Sequence, residues 1–195
     1  MKLKVCGLKD RENILQVLEC KPDYIGFIFY EKSSRFVDGL DAAFVKNISS
    51  VKKVGVFVNE SEEVILECVR AFGLNYVQLH GNESPESCSS LQKRVSIIKA
   101  FQINEAFDFK ELNKYNEVCD YFLFDSKSEQ FGGSGKTFNH DKLAEYKLNK
   151  PYFLSGGLSL ENISGITNAY CLDVNSKFEI SPGIKDVNKL KLIKR

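Results

Sequence analysis

Reactive and anion-gripping side chains fall at one recurrent place in this sequence, at or near the C-terminal ends of short β-branched or aromatic runs. In chain order they are Cys6, Arg35 in the loop after the second run, Asn59, His80 with Gln78 inside its run, Gln102, Asp125, the pair Gly156-Gly157, and Asp173. A thiol and a carboxyl can act as base and acid in proton transfer. A guanidinium forks onto a planar carboxylate. The starts of the same runs carry mainly Lys, Tyr and Ser. Each residue also has a plain structural use. Cys6 can be a small apolar core residue, and His80 a hydrogen-bonded structural imidazole. Asp125 can cap a loop, Arg35 can be an exposed loop charge, and Asp173 can orient a loop. Two placements favour chemistry. Cys6 closes its run just before Gly7, and Asp125 follows Tyr-Phe-Leu-Phe, where an idle carboxylate is costly to desolvate.

The elements that must hold these residues alternate. The runs are Lys2–Cys6, Tyr24–Phe29, Lys53–Val58, Tyr76–Leu79, Ser96–Phe101, Tyr121–Phe124, Tyr152–Leu154 and Cys171–Val174. Stretches of helical period follow them at Asp10–Leu18, Leu40–Ile48, Ser61–Phe72, Ser84–Val95, Asn104–Tyr115, Asn139–Lys147, Ser159–Ile166 and Val187–Lys194. Ser61–Phe72 is the clearest, with Ser61 as N-cap and Val64, Ile65, Cys68, Val69 and Phe72 on one face. Strand then helix, eight times over, predicts an α/β chain folded as a single (β/α)8 TIM barrel over residues 1–195. At about 24 residues per unit it is near the minimum size. Such a barrel gathers its catalytic residues at the C-terminal strand ends, where the polar side chains fall. An open doubly wound sheet is the runner-up. It lacks a Gly-x-Gly-x-x-Gly fingerprint, because Gly133-Ser134-Gly135 is followed by Lys, Thr and Phe.

Composition bounds the partners. The 27 Lys plus Arg and 26 Asp plus Glu leave a formal net charge of +1, which argues against a broad nucleic-acid footprint. No apolar run approaches the roughly 18 residues of a membrane span. The N-terminus shows no secretory signal, and the six cysteines form no Cys-x-x-Cys pair, so free thiols in a reducing cytoplasm are expected. Monomer and homodimer are both open.

Two glycine clusters need separate readings. Gly132-Gly133-Ser134-Gly135-Lys136-Thr137 looks like the end of a P-loop, but the required first glycine is Gln130. A lid over the site fits better. Gly156-Gly157 precedes the predicted helix at Ser159, and a helix N-terminus there would offer backbone N–H groups to a phosphate. A simple tight turn is the alternative.

Seven segments, in order and from end to end, resemble the phosphoribosylanthranilate isomerase family of tryptophan biosynthesis. They are Lys4–Gly7, Gly26–Arg35, Val54–Asn59, Val77–Glu83, Gly132–Phe138, Leu154–Leu158 and Pro182–Asp186. The resemblance implies a cofactor-free and metal-free barrel. Its reaction is an Amadori rearrangement of a small phosphorylated substrate, N-(5'-phosphoribosyl)anthranilate, to an open-chain aminodeoxyribulose phosphate. It implies Cys6 as general base, Asp125 as general acid and Arg35 as partner of the anthranilate carboxylate. Gly156, Gly157 and the loop after the eighth strand, with Asn175 and Ser176, become the phosphate site. His80 and Asp173 line the substrate. Lys177 stands where the family commonly has glycine, so either its backbone is left-handed or the phosphate contacts shift. Other readings are a sugar-phosphate epimerase, a Schiff-base aldolase using Lys99, and a barrel that binds a ligand without catalysis.

Overall fold

The computed structural model describes residues 1–126 and 140–193. Eight parallel strands close into a barrel in sequence order. They are β1 (Lys2–Val5), β2 (Tyr24–Ile28), β3 (Lys52–Phe57), β4 (Tyr76–Leu79), β5 (Ser96–Ile103), β6 (Tyr121–Ser126), β7 (Tyr152–Ser155) and β8 (Cys171–Val174). Each coincides with one apolar run. β8 pairs back onto β1 with Lys4 opposite Asp173, which closes the ring.

Period-two alternation divides the strand residues into two sets. Leu3, Val5, Ile25, Phe27, Val77, Leu79, Phe122, Phe124, Leu154, Leu172 and Val174 belong to the large apolar cluster between barrel and outer layer. Their alternates Tyr24, Val54, Ile98, Ala100, Leu123, Phe153 and Cys171 form a second, separate cluster inside the ring. Lys4, Gln78 and Asp173 are also alternates, and all three are buried.

The outer layer is thinner than the periodicity predicts. True α-helices are α1 (Arg11–Glu19), α2 (Ala42–Asn47), α3 (Glu62–Phe72), α4 (Pro85–Gln92) and α5 (Val187–Lys191). Their starts are set by Asp10, Asp41, Ser61, Ser84 and Asp186, whose side chains accept backbone N–H bonds of the first turn. The helices expected over Asn104–Tyr115, Asn139–Lys147 and Ser159–Ile166 are instead short 3-10 turns at Phe109–Tyr115, His140–Glu145 and Ile163–Gly165. In the first, Asn104 and Asp108 bond to Ala106 N and Lys110 N, and these local bonds displace helical ones. In the third, Asn162 accepts from Ser159 N and donates to Gly157 O, tying the chain into a turn. A 3-10 turn (Ser176–Phe178) and the hairpin β9 (Glu179–Ser181) and β10 (Ile184–Lys185) follow β8. Neither was foreshadowed by the sequence pattern.

Candidate active site

Four strands deliver one polar cluster to the C-terminal mouth. Lys4 of β1 is fully buried, and its ammonium has three partners. They are Cys6 Sγ at 3.4 Å, Gln78 Oε1 at 2.5 Å and Asp173 Oδ2 at 2.8 Å. Lys4 and Cys6 share a face of the chain because they are two residues apart. Room for both comes from β2, where a Cβ on Gly26 would lie 2.7 Å from Cys6 Sγ and 3.2 Å from Lys4 Cε. Any side chain at Gly26 would therefore displace the thiol. Gln78 Nε2 lies 2.8 Å from His80 Nδ1, and His80 Nε2 lies 3.3 Å from Asp125 Oδ2. His80 and Asp125 are each about a quarter exposed, at 26%, so a substrate can reach them.

The electrostatics follow from burial against pairing. Burial works to strip Lys4 of its proton, but Asp173 and Cys6 outweigh it and hold the ammonium above the ordinary lysine range. Burial pushes the Cys6 thiol up; Lys4 pulls it down and Asp173 raises it again. Cys6 therefore rests as a thiol, and its thiolate, once formed, is a strong base. Asp173 is raised by burial, with Lys4 opposing. Its second oxygen, Oδ1, is buried with no partner among the described residues. An acceptor held dry in this way is costly unless a ligand fills it.

Arg35 reaches the mouth over Gly7, whose left-handed φ of +77° and missing Cβ leave space for Arg35 Cδ and Asn175 Oδ1. Its guanidinium is gripped from one side. Nε lies 2.9 and 3.0 Å from the two Glu179 oxygens, and Nη2 is 2.6 Å from Oε2. Lys185 Nζ joins Glu179 Oε1 at 2.6 Å and Asn175 Oδ1 at 2.7 Å. Burial opposes ionisation of Glu179, but Arg35 and Lys185 prevail and hold it below the usual carboxylate range. Glu179 takes Nε and Nη2 of Arg35 and does not use Nη1.

Gly156 and Gly157 end β7 with left-handed φ values of +90° and +65°. No α-helix follows them, so the helix N-terminus expected there does not exist. Lys177 is not left-handed either; it is exposed on the 3-10 turn beside the exposed Ser176. Asn59 is a brace: its side-chain oxygen accepts from Asn82 N, and its own N–H donates to Glu83. The proposed lid, Gly132–Thr137, lies outside the described residues. Lys99 is buried against Leu79 O, Gly81 O, Ala100 O and Glu83, which pins the loop carrying His80 and leaves no free amine for a Schiff base. Among the described residues no three His, Cys, Asp or Glu side chains are placed to hold a metal ion. Among the described residues no helix is long and apolar enough to cross a membrane.

Residues 3–195 match the family described as N-(5'phosphoribosyl)anthranilate (PRA) isomerase. The chain belongs to this family. The N-(5'-phosphoribosyl)anthranilate isomerase of Parabacteroides distasonis is 47% identical over 200 residues, covering 98% of this chain and 90% of the relative. The crystal structure of the Thermotoga maritima isomerase superposes with a TM-score of 0.84 at 34% identity, covering 98% of this chain and 96% of that one. Another isomerase structure, in complex with reduced 1-(o-carboxyphenylamino)-1-deoxyribulose 5-phosphate, gives a TM-score of 0.80 at 30% identity over 98% and 95% of the two chains. In the phosphoribosylanthranilate isomerase frame, Lys4, Glu179 and Lys185 join the cluster at the mouth, although the sequence pattern gives none of them a role. Lys4 had a signal: a cation inside an apolar strand, two residues before the thiol. Glu179 had none, because its partner Arg35 lies 144 residues away.

Proposed function

We infer that the barrel mouth carries out the family's reaction, the aldose–ketose isomerisation of N-(5'-phosphoribosyl)anthranilate in tryptophan biosynthesis, by general acid–base catalysis between Asp125 and Cys6. The observation that supports it is the placement of a part-exposed carboxyl and a buried, lysine-flanked thiol at one mouth, joined through His80, Gln78 and Lys4. Asp125 gives its proton to the ribose ring oxygen. The anthranilate nitrogen lone pair then forms C=N as the ring C–O bond breaks. The resulting protonated imine acidifies the adjacent C–H. Cys6 first releases its thiol proton to solvent, Lys4 stabilises the thiolate so formed, and that thiolate removes the C–H proton. Electrons flow into the imine to give an enolamine. Protonation at the former anomeric carbon and loss of the hydroxyl proton give the aminoketone. No cofactor is needed, since the imine nitrogen is the electron sink.

The two anionic ends of the substrate orient the middle. Arg35, braced by Glu179, takes the anthranilate carboxylate. Backbone N–H groups at Gly156 and Gly157 take the phosphate together with Asn175 and Ser176, and the Lys177 ammonium supplies charge that a glycine would not. Asp173 Oδ1 accepts from a ribose hydroxyl. We place the enzyme in the cytoplasm, as a monomer or homodimer, with no nucleic-acid or membrane partner.

Loss of phosphoribosylanthranilate fluorescence measures turnover directly. Cys6→Ala and Asp125→Ala should each lower kcat by roughly 10²–10⁴-fold, the usual contribution of a positioned acid or base. Unchanged turnover in both variants would sink the assignment.

A further inference from the structure

Four contacts form an unbroken path across the mouth from the thiol to the carboxyl. Cys6 Sγ meets Lys4 Nζ at 3.4 Å, and Lys4 Nζ meets Gln78 Oε1 at 2.5 Å. Gln78 Nε2 meets His80 Nδ1 at 2.8 Å, and His80 Nε2 meets Asp125 Oδ2 at 3.3 Å. The path has a direction, and Lys4 sets it. An ammonium has three hydrogens to donate and no lone pair to accept with. Gln78 must therefore turn its oxygen to Lys4 and its NH₂ to His80. The amide then donates, so Nδ1 of the imidazole must accept. A ring nitrogen that accepts carries no proton, and the single ring proton is left on Nε2, the atom facing Asp125.

We propose that Lys4 and Gln78 are positioning residues which lock His80 in the Nε2–H tautomer, and that His80 thereby decides which oxygen of Asp125 carries the transferable proton. The Nε2–H group holds Oδ2, so the acidic hydrogen sits on Oδ1. At 3.3 Å the contact is long, as catalytic hydrogen bonds in unliganded enzymes often are. When the ring oxygen takes the proton, the Oδ1–H bond breaks and an O–H bond forms on the sugar. The carboxylate left behind already faces an N–H donor. His80 does not compete as an acid, because a second proton on Nδ1 would point at the amide hydrogens of Gln78. His80 is thus a positioning residue for the acid rather than a ligand of the substrate. The role of Asp125 as acid is taken from the proposed function; the tautomer is not.

Nitrogen-15 spectra of the histidine rings in the unliganded protein read the tautomer without any activity. The chain has two histidines, and a His140→Gln variant assigns them. The expected pattern for His80 is an unprotonated Nδ1 and a protonated Nε2. In Gln78→Glu the new carboxylate can only accept, from Lys4 and from Nδ1–H, so the proton should appear on Nδ1. In Gln78→Met only Asp125 still directs the ring, so the Nε2–H form should lose its exclusive hold and the Nδ1–H form should become detectable. Each variant should lower kcat by about 10- to 100-fold, part of what a positioned acid supplies, with KM within about twofold. An Nδ1–H tautomer in the parent, or a tautomer and kcat unmoved by both substitutions, would overturn the proposal. If the Asp125→Ala variant keeps full turnover while the Nε2–H tautomer is found, the lock stands and the acid lies elsewhere.

Discussion

The inward face of β4 reads Tyr76, Gln78, His80 from bottom to top, and that of β6 reads Tyr121, Leu123, Asp125. The same strands are aromatic at one end of the barrel and ionisable at the other. At the bottom, Tyr24, Tyr76, Tyr121, Phe153 and Tyr170 pack edge-on, stacked or tilted with centroids 5.1–6.0 Å apart. The hydroxyls of Tyr24 and Tyr170 meet at 3.2 Å. At the top, Lys4 and Asp173 form a buried ion pair with a carboxylate oxygen left open. One end is satisfied by itself; the other is complete only with a ligand. Stability and chemistry are therefore divided along the strand axis, a few residues apart, and the two ends should respond differently to substitution.

Lys4→Met tests the division most severely. It removes the cation shared by Cys6, Gln78 and Asp173 while keeping the volume. Breaking a buried pair costs about 3–5 kcal/mol, to be read from urea unfolding. The kinetic sign is also fixed. Lys4 lowers the Cys6 pKa, so its loss raises it further, and the rise of kcat with pH should move to higher pH. At the bottom, Phe153→Ala should cost about 3–5 kcal/mol through the cavity it leaves. Its kcat per folded molecule should stay near that of the parent, and a large fall in kcat would break the comparison. Glu179→Gln should cost about 1.5–3 kcal/mol at neutral pH, since hydrogen bonds to charged groups are lost. The folded pKa of Glu179 is depressed, so its contribution is present above the ordinary glutamate value and lost as pH falls through the folded one. The stability gap between parent and variant should close over that acid range. KM should rise more than kcat falls, because Arg35 loses its brace. Tyr170→Phe, which removes only the hydroxyl contact, should cost about 0.5–1.5 kcal/mol in thermal unfolding and leave kinetics unchanged.

Alternation made the barrel readable. Eight β-branched runs coincide with eight strands because strand residues buried on both faces must be apolar or paired. The rim residues Cys6, His80, Asp125 and Asp173 were legible from their positions at run ends. The outer layer was less so. Asn104, Asp108 and Asn162 sit in segments of helical period, yet their side chains bond locally and break the helix. The Arg35–Glu179–Lys185 cluster was not legible at all. It joins the second loop to a short hairpin after β8, and no local pattern records a contact made across the whole chain.

The pairing of β1 with β8 has a consequence for how the enzyme is born. Lys4 is synthesised before Asp173, which follows 169 residues later. At roughly 5–20 residues per second, the lysine waits about 10–35 seconds for its counter-ion. Through that interval Cys6 has its flanking ammonium but no ring around it. Gln78 and His80 emerge midway, with Lys4 still unburied. The mouth is thus assembled only once β8 has been made, and turnover by a nascent chain would report that the circle has shut.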